Sequence, residues 1–118
     1  MKIVFQNENG VTVARLSGRL DSATSPAAER ELAAELARSR GFLMDLEEVE
    51  YVSSAGLRVF LVLAKQARAS SRALGLCSLR KEVADVFEIS GFSTLFALFP
   101  GPEAGVQALS ESGPESAE

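Results

Sequence analysis

Between Gly41 and the acids that follow it, Phe42-Leu43-Met44-Asp45-Leu46 is an almost unbroken apolar run. Five residues are too few for a helix, and a run without polar alternation suits a strand buried on both faces. Leu74–Leu79 repeats the pattern, and Leu95–Phe99 gives a shorter candidate last strand. Between the first two runs, Leu57, Phe60, Leu61, Ala64 and Ala67 recur every three or four residues while Arg58, Lys65 and Arg68 stay polar, which predicts a helix over Ser54–Ser70. Between the second and third, Glu82–Ser90 reads as a shorter helix with Val83, Val86 and Phe87 inward and Gly91 as its stop. Strands alternating with helices are the mark of parallel β-α-β units, so the expected fold class is a layered α/β domain.

The ends of the chain add to this frame. Ile3–Phe5 and Val11–Leu16 are β-rich runs flanking Asn7-Glu8-Asn9-Gly10, turn chemistry that predicts an N-terminal hairpin. Asp21–Pro26 offers several helix caps and a proline suited to a first helical turn, so a surface helix is expected over Pro26–Ser39 with Ala28, Leu32 and Leu36 inward. Past Pro100 the composition turns to Pro, Gly, Ser and Glu, with Val106 and Leu109 allowing one short helix. One domain over residues 1–110 and a flexible acidic tail over 111–118 are expected, since 118 residues support a single core.

Composition excludes more than it assigns. The chain has no histidine, which removes the commonest general base, the commonest metal ligand and every Ser-His or Cys-His pair. No Gly-rich phosphate loop is present. A Ser54 nucleophile with Lys65 or Lys81 as base has no supporting spacing, so a non-enzymatic protein without cofactor or metal is expected. Twelve basic against sixteen acidic residues give a net charge of −4, and Arg58, Lys65, Arg68 and Arg72 make only a modest basic helix side, which argues against nucleic acid. Asp45, Glu47, Glu48 and Glu50 cluster, but three of them fall where a solvated turn is expected between strand and helix. The lone Cys77 cannot form an intramolecular disulfide and reads as core packing in a reducing compartment. With neither a signal-peptide core nor about 18 consecutive apolar residues, the expected location is cytoplasmic, without membrane insertion.

The stretch Tyr51-Val-Ser-Ser-Ala-Gly-Leu-Arg-Val59 carries the functional question. A serine at a helix start can cap unpaired N–H groups, and the same end favours an anion such as a phosphate. Ala55 and Gly56 would leave the hydroxyl reachable. The residues alone leave both readings, cap and modifiable serine, open.

Three stretches resemble a known family: Leu16-Ser-Gly-Arg-Leu-Asp21, the segment Leu46–Leu57 ending in Ser-Ser-Ala-Gly-Leu, and Leu95–Phe99 after Ser90-Gly91-Phe92. Over about residues 2–110 the chain resembles the STAS domain, specifically the stand-alone bacterial anti-sigma-factor antagonists. The resemblance implies a mixed sheet of about five strands with helices packed on it. It implies that Ser54 is phosphorylated by a partner that is both anti-sigma factor and serine kinase, of the histidine-kinase-like ATPase type, and that a serine phosphatase reverses this. The unmodified form would bind the kinase and free its sequestered target. Ser53 stands where many members carry aspartate, which makes it a second conceivable acceptor, while Asp21 retains the family's other acid and should lie near Ser54. The partner-binding patch then comprises Asp21, Ser22, Thr24, Ser53, Ala55, Gly56, Leu57 and Arg58, although Arg58 also reads as a solvated outer-face residue. The alternative is a cytoplasmic STAS subunit of a lipid or anion transport system.

Overall fold

A computed structural model of the chain describes residues 1–111; of the acidic tail expected over 111–118, Glu111 instead ends the last helix and 112–118 lie outside the described residues. The expected hairpin forms from β1 (Lys2–Glu8) and β2 (Val11–Leu20), both longer than the apolar runs alone indicate. Their two-residue turn, Asn9-Gly10, has positive φ at both positions (58° and 84°), the geometry that matches strand twist in a tight hairpin.

After the hairpin come α1 (Ser25–Ala37), β3 (Gly41–Val52), α2 (Ser54–Ala69), β4 (Ala73–Cys77), α3 (Lys81–Ser90), β5 (Ala97–Phe99) and α4 (Pro102–Glu111). The five strands lie in chain order, β1 antiparallel to β2 and the rest parallel, so the sheet is mixed as expected. Strand alternation sorts the core into two layers. Ala14, Leu16, Phe42, Met44 and Leu76 meet Leu32 and Leu36 of α1, Phe60 and Leu63 of α2, and Val83 and Phe87 of α3. Val11, Val13, Leu43 and Cys77 point the other way, onto Val106 and Leu109 of α4. Cys77 is a free, buried thiol, as expected, and burial pushes its pKa up to about 11.

Several boundaries differ from expectation. Beyond the expected end at Leu46, β3 continues for six residues, so Glu47, Glu48 and Glu50 are exposed strand residues rather than a turn. Two bulges explain why the pattern hides this. Arg15 and Ser17 face Asp45 and Glu48, and Gly18 and Arg19 face Val49 and Tyr51, so β3 gains an extra residue at each step. Leu46, Val49 and Val52 are therefore all buried at a spacing of three. The buried Asp45 supports the first bulge: its carboxylate accepts the Glu47 N–H (3.1 Å) and pairs with Arg15 Nε (3.4 Å). Arg80 Nε donates to the Glu47 carbonyl at 2.7 Å, where β4 no longer pairs with β3.

The expected stripe of α2 is also displaced. Gly56, Val59, Phe60, Leu63 and Ala67 are buried, while Leu57, Leu61 and Ala64 are half-buried, because α2 packs on α1 as well as the sheet and covers a broad sector. In α3, Val86 is likewise half-buried. Ser78 adopts φ 60° and ends β4 two residues early, and Phe92–Leu95 forms a 3-10 turn, leaving only Ala97–Phe99 in the last strand.

Candidate functional site

The parallel pairing of β2 with β3 builds the site. Leu20 pairs with Val52, and the next N–H, that of Ser53, donates to the Leu20 carbonyl at 2.9 Å. Asp21 is thereby brought to the turn that opens α2, although it lies far from Ser53 in sequence. The Asp21 carboxylate serves its own loop: one oxygen accepts the N–H groups of Ala23 (3.0 Å) and Thr24 (3.1 Å). These bonds, the Thr24 N–H foremost, hold its pKa below the usual aspartate value. The Thr24 hydroxyl accepts the Asp21 N–H (3.0 Å) and donates to the Arg19 carbonyl (2.8 Å). It is therefore unavailable as a cap for α1, which starts without a side-chain cap and with Pro26 in its first turn.

The two serines have different surroundings. Ser53 is extended (φ −86°, ψ 179°), and its Oγ accepts the Gly56 N–H at 3.3 Å while its carbonyl accepts the Leu57 N–H at 2.9 Å. Ser53 is the N-cap. Ser54 is the first residue of α2, exposed, and without a side-chain hydrogen bond among the described residues. Gly56 faces inward, and a Cβ built on it would stand 2.6 Å from the Leu20 carbonyl oxygen. Its missing side chain lets α2 approach β2, so of the two small residues only Ala55 reaches the surface.

Arg58 is exposed one turn beyond Ser54, and Leu57 is half-buried. Ala55 and Arg58 line a groove of ≈ 370 Å³ between the first turns of α1 and α2, with Ser22, Ser25, Pro26, Glu29 and Arg30. Ser22 was expected at this edge, but Ser25, Pro26, Glu29 and Arg30 were not. They come from α1, and only its packing on α2 assembles them with the serine turn; no local pattern could have signalled it. On the other side, Arg19 lies over the Tyr51 ring (4.4 Å to the centroid) and 3.8 Å from the Asp21 carboxylate. Among the described residues no group of three or more His, Cys, Asp or Glu is arranged to hold a metal, and no helix is long and apolar enough to cross a membrane.

The chain as a whole is similar to known proteins. The chain is 40% identical over 115 residues to the proposed anti-sigma factor antagonist BtrV of Bordetella bronchiseptica, covering 97% of this chain and 99% of that protein. It is 28% identical over 104 residues to the anti-sigma-B factor antagonist of Bacillus subtilis, covering 88% and 94% respectively. The crystal structure of an anti-sigma factor antagonist from Mycobacterium paratuberculosis superposes with a TM-score of 0.85 at 23% identity, covering 92% of each chain. The sequence profile of the STAS domain matches residues 2–104, and the chain belongs to that family.

Proposed function

We propose that the protein is an anti-sigma factor antagonist whose binding is switched by phosphorylation of Ser54. The observation that carries this reading is the division of labour between the serines: Ser53 is engaged as the cap, and Ser54 is exposed and unengaged at the start of α2. The proposed partner is an anti-sigma factor that is also a serine kinase of the histidine-kinase-like ATPase type, with a serine phosphatase restoring the unmodified form. Its contact surface is Ser22, Ala55, Leu57 and Arg58 around Ser54, on a turn shaped by Asp21, Thr24, Ser53 and the buried Gly56. The protein acts by binding and is not an enzyme. It works in the cytoplasm, and its substrate role is confined to its own serine.

A phosphate on Ser54 adds roughly −1.5 to −2 charges at neutral pH. At the start of a helix that charge is tolerated by the fold, while a partner packed there must desolvate it. A transport-subunit role is the weaker reading, because relatives nearly coextensive with this chain are named for sigma-factor control.

Mass spectrometry of the protein purified from its own host tests the site, with phosphate expected on Ser54 and not on Ser53. The co-purifying ATPase should bind the unmodified protein and Ser54→Ala, and lose Ser54→Asp. Phosphate on neither serine, or Ser54→Asp binding as tightly as the unmodified protein, overturns the reading.

A further inference from the structure

We propose that a phosphate on Ser54 is held by the guanidinium of Arg58, so that modification withdraws both the hydroxyl and a cation from the binding surface. The inference rests on Ser54 being the modified residue. Residues four apart on a helix are neighbours on its surface, and an acid on the N-terminal side of a base is the favourable order. Ser54 and Arg58 have this spacing and order within α2, and both are exposed.

The cations around the site differ in availability. Arg19 is engaged with the Tyr51 ring and the Asp21 carboxylate. Arg58 has no hydrogen bond or ion pair among the described residues, and neither has Arg30 across the groove. Arg30 belongs to α1, whereas Arg58 shares a helix face with Ser54. Glu29, the acid that shares the groove, makes no ion pair with Arg58 among the described residues and would yield to a dianion. Ser53 lies five residues from Arg58, off the helix face that Arg58 shares with Ser54, with its Oγ turned to the Gly56 N–H, so a phosphate there would not meet the same partner. The pairing thus discriminates between the two serines as well as reading the modification.

Because Arg58 lines the α1–α2 groove beside Ala55, its capture by phosphate takes one of the two guanidinium cations, Arg30 and Arg58, from that groove's rim. A partner that uses the free guanidinium loses it at the moment the phosphate appears. The switch therefore acts by subtraction as well as by repulsion.

The test uses full-length protein carrying phosphoserine incorporated at position 54, with Arg58 intact, Arg58→Lys or Arg58→Gln, and 31P NMR through a pH titration. The second phosphate ionisation, ordinarily near pH ~6, should fall about 0.5 pH unit lower with Arg58 than with Gln, with Lys between them, and the difference should shrink in ~1 M salt. Phosphoserine at 53 should show no dependence on Arg58. Equal titrations of the Arg58 and Arg58→Gln phosphoproteins, or an equal effect at position 53, overturn the pairing. Because phosphate is installed during synthesis, this result is independent of whether the host modifies Ser54, which the mass spectrometry above decides.

Discussion

Replacing Gly56 by alanine sets two known effects against each other. In a helix, alanine is favoured over glycine by about 1 kcal/mol. The added Cβ, however, would stand 2.6 Å from the Leu20 carbonyl oxygen and 3.0 Å from both Leu20 Cγ and Val52 Cγ1. The nearest of these is backbone, held in the β2–β3 seam and bonded to the Ser53 N–H, so no rotamer change relieves it. The first turn of α2 must retreat by several tenths of an ångström, and overpacking of this kind costs typically 1–3 kcal/mol, more where backbone is the obstacle. We expect a net loss of about 1–2 kcal/mol, which for a domain this size lowers Tm by roughly 4–8 °C in calorimetry or circular dichroism. Faster hydrogen exchange at the Ser53 amide should accompany it, because the displaced carbonyl is its acceptor. Gly101→Ala, just before α4, is the control: nothing stands within 4 Å of its Cβ, so its net change should stay within about 0.5 kcal/mol. A Gly56→Ala protein as stable as the parent would refute the close-approach argument.

Other substitutions separate capping from function and probe the core. Ser53→Ala should lower stability by about 1 kcal/mol in chemical denaturation, with Ser53→Asp retaining the cap, whereas Ser54→Ala should stay within about 0.5 kcal/mol. Phe60 lies 5.3 Å from Phe87 and 6.4 Å from Phe96 between ring centroids, so Phe60→Ala should cost about 3–5 kcal/mol in the same assay. The raised pKa of Cys77, caused first by burial, means the fold favours the protonated thiol; its contribution is complete below the unfolded value near 9.0 and declines as pH rises toward about 11. At pH ~8 a thiol reagent should therefore modify Cys77 only at the rate of opening, and rapid labelling of the native protein would show the thiol to be reachable.

Much of the fold is written in local pattern. Continuous apolar runs mark buried strands, a three-to-four-residue period marks helices, and turn residues such as Asn9-Gly10 mark the hairpin; each acts over a few residues. That is why the element order and the layered α/β class were legible, while the mixed sheet of about five strands was an expectation from the family resemblance. The far half of β3 was not, because two bulges space its buried residues by three, a pattern that alternation cannot reveal. The serine turn was also legible as a motif, and its two readings were not separable from sequence. Tertiary contacts assign the cap: the Ser53 backbone is fixed to Leu20 of β2, its side chain caps α2, and Ser54 is left outward.

The sequence by itself determined which elements form, the absence of imidazole chemistry and the serine-rich start of a helix, because these depend on residue identity and near neighbours. Only the tertiary structure decided that Asp21 and Thr24 shape their own turn, that Gly56 is a contact for β2, and that α1 supplies Arg30 to a groove shared with Arg58. Those assignments depend on which segments meet after folding, and strand register and helix packing set that over distances no sequence window spans.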